Sequence, residues 1–225
     1  MRATQERQPT DGVAALPPGG TVRPDSGQVD RPPSWERIVA AARRCFSDRG
    51  VRRTTMSDVA NESGVSRQLV YRIFANRRDL IEAAAAERVG ELADELAPHD
   101  WGVGLDADSF VAASIGVIRG IRLDAELRRL LGEESPVSLH EVLWLDSVRA
   151  RGVGFWLPWL RRARVSGLLR AGVPDVDLAD WLQTVYASII LRRSLDEATE
   201  RVMITRFVLT SLSMAAEDSA GPTCE

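Results

Sequence analysis

Long apolar runs are missing from this chain. No hydrophobic stretch approaches the roughly 20 residues a membrane span needs, and the N-terminus lacks the apolar core of a secretory signal. The expectation is a cytoplasmic protein with no membrane partner. Cysteine is scarce: Cys45 stands in an apolar helical pattern and Cys224 in the tail. They read as a small buried hydrophobe and a free thiol, which fits a reducing compartment. The two histidines, His99 and His140, lie 41 positions apart with no Cys or carboxylate at ligand spacing, so no metal site is expected. Gly-Val-Gly occurs at 102–104 and 152–154, but a G-x-G without a preceding strand is not a phosphate loop. There is no nucleophile elbow. No catalytic residue, cofactor or enzymatic activity is expected. Lysine is absent: all 29 basic side chains are arginine, a bias of the kind a GC-rich genome produces. Strand signals are absent as well, since no stretch sustains apolar–polar alternation with hairpin turns. That leaves an all-α fold.

What is present is a core-forming composition with uneven charge. The chain has 225 residues, 44% of them hydrophobic, enough for one large domain or two modest ones. The net charge of −3 argues by itself against a nucleic-acid partner. Its distribution argues the other way. Residues 31–80 carry eleven Arg and five acids, a net +6, whereas residues 81–225 carry a net −8. A basic head on an acidic body suits a protein that grips phosphates with one end.

Residues 1–33 contain six Pro and four Gly and few large apolar side chains. They cannot bury enough surface to offset their ordering entropy and read as a disordered arm. It is either a passive tail or touches DNA through Arg23 or Arg31. A first helix is expected from Ser34, its N-cap, with Ile38, Val39, Ala42, Cys45 and Phe46 on one face and Gly50 at its end. The chain is organised around its segment Thr54 to Leu80. Two short helical patterns, Met56–Ser63 and Arg67–Phe74, flank a turn containing Gly64. Thr55 caps the first in a capping box with Asp58, and Ser66 caps the second. Val70, Ile73 and Phe74 face inward on the second helix. Arg67, Gln68, Tyr71 and Arg72 share the opposite face, which has no acid. Helix, short turn, helix is the arrangement that places a second helix in the DNA major groove. Arg pairs with guanine O6 and N7, Gln with adenine N6 and N7, and hydroxyls suit phosphate oxygens.

The run G-V-R-R-T-T-M-S-D-V-A-N-E-S-G-V-S-R-Q-L-V-Y-R-I-F-A-N-R-R-D-L resembles the N-terminal signature of the tetracycline-repressor (TetR) family of bacterial regulators. The resemblance covers Ser34 to Leu80, with Gly50, Thr55, Ala60, Gly64-Val65-Ser66, Tyr71, Phe74 and Leu80 in the family's register. It implies a dimer whose two recognition helices enter successive major grooves of a palindromic operator. Carried over to this chain, Thr55 and Tyr71 hold phosphates and Arg67, Gln68 and Arg72 face bases. Arg77 stands where the family usually has Lys and would keep its phosphate contact. Gln68 and Leu69 depart from the common Gly-Thr, which removes a close backbone approach and a hydroxyl. Leu69 either touches a thymine methyl or is half-buried. The bases selected should therefore be this chain's own.

The body is expected to bring the total to about nine helices: 77–97, 107–121, 124–131, one long helix 137–166, 175–193 and 196–216. The domain plan is a 1–33 arm, a 34–80 DNA-binding head, an 81–216 effector-binding and dimerisation body and a 217–225 tail. Five of the six Trp lie beyond residue 100. If the 137–166 helix is continuous, Trp144, Val148, Phe155 and Trp159 fall within roughly 60° of one another, and Pro158 or Gly152 and Gly154 kink it. With Phe110 they either line a cavity for an apolar or aromatic effector or fill the core. Arg119, Arg122 and His140 are candidate polar anchors. In the last two helices Trp181, Val185, Ile189, Phe207, Val208 and Leu212 form an apolar stripe, either core or, as the resemblance implies, the contact with a second copy. The function read from these features is a ligand-responsive, homodimeric transcription regulator, a repressor that releases double-stranded DNA when a small effector binds the body. The alternative is an all-α small-molecule-binding or structural protein with a vestigial helix-turn-helix.

Overall fold

A computed structural model of the chain describes residues 32–96, 107–167, 169 and 172–212. The arm up to residue 31, Trp101, the Gly-Val-Gly at 102–104, His99 and the tail with Cys224 lie outside the described residues. So do the expected ends of the fourth and last helices. Among the described residues the secondary structure is helical, with no β-strand.

The head consists of α1 (Pro33–Arg49), α2 (Met56–Ser63), α3 (Arg67–Ile73) and the first turns of α4 (Arg77–Leu96). α1 starts at Pro33, ahead of the expected cap Ser34, and has no side-chain cap. Proline at the first helical position needs none at its own nitrogen, because it lacks the N–H that a cap would satisfy. Ile38, Ala41, Ala42, Cys45 and Phe46 bury one face of α1 against α2 and α4. Burial raises the pKa of the Cys45 thiol, as expected of a packing residue rather than a reactive one. Gly64 ends α2 at φ +67°, a left-handed conformation that a side chain would strain.

The body packs α5 (Ala107–Leu123) and α8 (Asp146–Val165) against α4, and α9 (Asp175–Leu191) against α8 and α5, with short α6 (Ala125–Leu130) and α7 (Leu139–Leu143) beneath the head. The single helix expected at 137–166 is two. Ser138 and Glu141 form a capping box that starts α7. Trp144 then closes it, and Leu145 turns extended (φ −64°, ψ 137°) as the N-cap of α8. The break thus falls at Trp144–Leu145. α8 continues through Pro158, which removes one ladder hydrogen bond without ending the helix.

α10 (Glu197–Met203) runs on into a π-helical stretch, Ile204–Leu209, and a last α-turn, Thr210–Leu212. Glu200, Ile204, Val208 and Leu212 are its buried positions, one every fourth residue. A 3.6-residue helix would rotate such a stripe by about 40° per step; the wider i→i+5 turn holds it on one face.

Candidate nucleic-acid interface

The helix-turn-helix is held by local hydrogen bonds that its sequence specifies. Asp58 N–H donates to Thr55 Oγ1 (3.2 Å), and Thr55 N–H donates back to Asp58 Oδ2 (2.8 Å). The Thr55 hydroxyl, which donates to the same Oδ2 (2.7 Å), and the Thr55 N–H hold the Asp58 carboxyl below its ordinary range. At α3, Leu69 N–H donates to Ser66 Oγ (3.2 Å). Asp79 N–H donates to Asn76 Oδ1 (3.1 Å), the cap expected for α4. Just before Thr55, the buried Thr54 hydroxyl donates to the carbonyls of Cys45 (3.1 Å) and Gly50 (2.9 Å), fastening the α1–α2 loop to α1.

Val70 and Phe74 are buried under α3, Ile73 is half-buried, and Arg67, Gln68, Tyr71 and Arg72 are exposed on its outer side. The Arg67 guanidinium lies 5.4 Å from the Tyr71 ring centroid, a cation–π contact one helical turn long that aims it along the face. Neither Arg67 nor Arg72 has an ion-pair partner among the described residues. The head's nearby acids are engaged elsewhere: Glu62 with Arg44 and Asp58 with Arg49, each at 2.7 Å. Thr55 and Ser66 are exposed at the starts of α2 and α3, and Leu69 is half-buried. Arg77, expected at a phosphate, is half-buried and also serves the fold. Its Nη1 donates to the Arg52 carbonyl (3.0 Å) and approaches that of Thr54 (3.5 Å), so it braces the loop that presents Thr55.

An arginine–carboxylate cluster fastens this head to the body. Arg43 of α1 bonds bidentately to Glu126 of α6 (2.6 and 2.9 Å) and to Glu91 of α4 (2.7 Å from Nη2). Arg88 of α4 reaches Asp124, the cap of α6 (2.9 Å), Glu91 (3.1 Å) and Glu95 (2.8 Å). Arg43 holds Glu91 below its ordinary pKa. Burial pushes Asp124 up, but Arg88 and the N–H groups of Leu127 and Glu126 together bring it below its ordinary value. Arg52 pairs with Glu134 across the same seam (2.9 Å), and Arg78 holds Glu141 and the Pro136 carbonyl. The Ser138 N–H, the Arg78 guanidinium and the Ser138 hydroxyl take Glu141 down to about 2. Sequence reading missed the cluster. Its local half, Arg88 with Glu91 at i,i+3, is visible on a helical wheel, but its partners lie 36 to 83 residues away.

In the body, Phe110 of α5 lies 4.3 Å from Trp159 and 5.7 Å from Trp156, centroid to centroid. Trp156 stacks on Tyr186 of α9 (4.7 Å, 21°) and meets Phe155 edge-on at 4.8 Å. The Tyr186 hydroxyl shares a hydrogen bond with Ser114, both groups buried; burial raises the tyrosine's pKa. Trp156, Tyr186 and Ser114 were not anticipated. Trp144 leaves the expected group, because the break at Leu145 turns it onto the surface beside His140 and Arg149. Val148 is buried on α8. Two proposed anchors have structural roles: Arg122 holds Glu200 and the carbonyls of Ile189, Ile190 and Arg192, and Arg119 pairs with Glu197. His140 is exposed on α7. Of the expected dimer residues, Ile189, Val208 and Leu212 are buried in the chain's own interior and are core positions. Val185 is half-buried, whereas Trp181 (38% exposed) and Phe207 (68%) face outward, as does Val202.

Comparison with known proteins agrees with this geometry. The family model described as bacterial regulatory proteins, tetR family, matches residues 38–84, the head and the first two turns of α4. An HTH-type transcriptional regulator of Mycobacterium tuberculosis is 29% identical over 151 residues, covering 64% of this chain and 73% of the relative. The fold resembles the R. erythropolis transcriptional repressor QsdR (TM-score 0.60, 20% identity, 81% of this chain and 96% of that one). It also resembles Thermus thermophilus FadR, a transcriptional repressor determined with lauroyl-CoA (TM-score 0.58, 19% identity, 84% and 100%). With a capped helix-turn-helix that the family model matches over residues 38–84, on an all-helical body of the same fold as these repressors, the chain carries the DNA-binding domain of the tetR family of bacterial regulatory proteins.

Proposed function

We propose that the chain is a homodimeric repressor whose α3 reads a palindromic operator and whose body releases that operator when a small apolar or aromatic molecule binds. The observation that carries this is the outer face of α3: two guanidiniums with no ion-pair partner among the described residues, an amide and a phenol, with no carboxylate among them. A helix kept only for packing has no reason to hold such a face free of acids. Arg67, Gln68 and Arg72 are assigned to bases, and Thr55, Ser66 and Tyr71 to phosphates. Arg77 positions the Thr55 loop. Trp181 and Phe207, large apolar side chains left exposed on the last two helices, support pairing with a second copy there.

The effector enters between α5, α8 and α9, where Phe110, Phe155, Trp156 and Trp159 supply apolar surface. Ser114 and Tyr186 supply the hydroxyls that would orient it. The same fold in Thermus thermophilus FadR holds lauroyl-CoA. An effector shifts the head only by binding one setting of it more tightly than the other; the Arg43–Glu126 and Arg78–Glu141 contacts are where body and head would change together. The test is binding to the DNA upstream of the chain's own gene over a range of salt. Saturable binding to a palindrome there, weakening steeply with salt, is expected; its absence at every palindrome in that region refutes the reading.

A further inference from the structure

We propose that the cleft between head and body is a second ligand site, distinct from the aromatic interior, for a small multiply charged anion of the phosphate type. The cleft encloses about 740 Å³, within the range of small-molecule sites. The head contributes Arg49, Arg52 and Arg53 to one wall, and the body contributes Arg129, Glu133 and Glu134 to the other. Two of the four guanidiniums are engaged, Arg49 with Asp58 and Arg52 with Glu134. Arg53 and Arg129 are exposed and have no partner among the described residues. They belong to opposite walls, so an anion held by both ties head to body.

The two carboxylates set the charge the ligand needs. A monoanion gains little over Glu134 as a partner for Arg52, whereas a group of charge −2 or more displaces it. The Arg52–Glu134 pair is open to exchange, because both side chains are about two-thirds exposed (68% and 69%) and solvent screens their attraction. Two glycines, Gly50 (φ +80°) and Gly132, leave the walls bare of side chains at the points between these charges. Arg53 directly precedes Thr54 and Thr55, the fastening and the cap of α2. A ligand gripping Arg53 from the body side therefore acts on the loop that presents the DNA contacts, without entering the aromatic interior.

Isothermal titration of the full chain with inorganic pyrophosphate at constant ionic strength tests this. Saturable binding of one pyrophosphate per chain is expected. Arg129→Ala and Arg53→Ala should each weaken it by about tenfold or more, the worth of one charged hydrogen bond. Glu134→Gln, which releases Arg52 and removes a negative charge, should tighten it. All three positions are exposed, so folding is preserved. No saturable binding, or binding indifferent to Arg129→Ala, overturns the proposal. DNA backbone phosphate is the other source of the same chemistry. Arg129→Ala should leave DNA affinity unchanged in the absence of pyrophosphate. A loss there would make the cleft a DNA contact and would equally overturn it.

Discussion

Replacing Arg43 with alanine removes the cation at the centre of the head–body seam. Three hydrogen bonds of 2.6 to 2.9 Å to Glu126 and Glu91, and a fourth to Glu91, are lost together. The side chain is 20% exposed, Glu126 25% and Glu91 37%, so the site lies between two reference cases. Exposed ion pairs contribute at most about 1 kcal/mol, and orphaning a fully buried partner costs about 3–5 kcal/mol. Arg88 stays within 3.1 Å of Glu91 and neutralises part of the charge left behind. The cost is then about 2 kcal/mol at neutral pH, a fall in Tm of about 4–8 °C for a chain of this size.

The sign with pH comes from Glu91, whose folded pKa lies below its ordinary 4.5. Its contribution is present above that value and is lost as pH falls through the lowered one. Calorimetric melts of wild type and Arg43→Ala should therefore differ at pH 7 and converge as the pH falls through that lowered value. An unchanged Tm at pH 7 refutes the reasoning. A gap that persists at acid pH shows that packing of the arginine stem, rather than its charge, is responsible.

On the DNA-reading face, Arg67→Ala should cost about 1–3 kcal/mol at one operator position and relax the base preference there. Fluorescence anisotropy against single-base operator variants measures this, and an equal loss on every variant would make Arg67 a phosphate contact. Tyr71→Phe, in the same assay, should weaken binding with little change in preference; a shifted operator would contradict it. Phe207→Asp puts a charge on the most exposed aromatic of the last helix and should move the chain toward monomer in sedimentation velocity. A dimer of undiminished stability would place the subunit contact elsewhere.

The head was legible because its determinants are local. Thr55 with Asp58, Gly64, Ser66 and Asn76 each act within three or four residues, and each makes the cap or turn its residue type implies. The body was legible only as helices. The break at Trp144–Leu145 depends on the Ser138–Glu141 cap, a local signal overlooked because the apolar spacing runs on across it. The π stretch has no composition signature; its every-fourth burial arises from packing against α5. Which side of α9 and α10 faces the chain's own core was not readable, since Ile189, Val208 and Trp181 are equally apolar. Only the assembled bundle separates the buried pair from the exposed tryptophan. Arg77 shows what a match by position leaves out: its forked side chain also reaches the Arg52 and Thr54 carbonyls and braces the loop.

The central claim, that the acid-free face of α3 reads bases, is tested most directly by selecting from a pool of random DNA duplexes and sequencing what the chain retains. Wild type should enrich paired half-sites whose centres lie about one helical turn apart or a multiple of it. Gln68→Ala should change the preferred base within each half-site and leave their spacing intact. Failure to enrich any sequence, or enrichment identical for wild type and Gln68→Ala and unaffected by Arg67→Ala, would contradict the assignment of α3 as the reading helix.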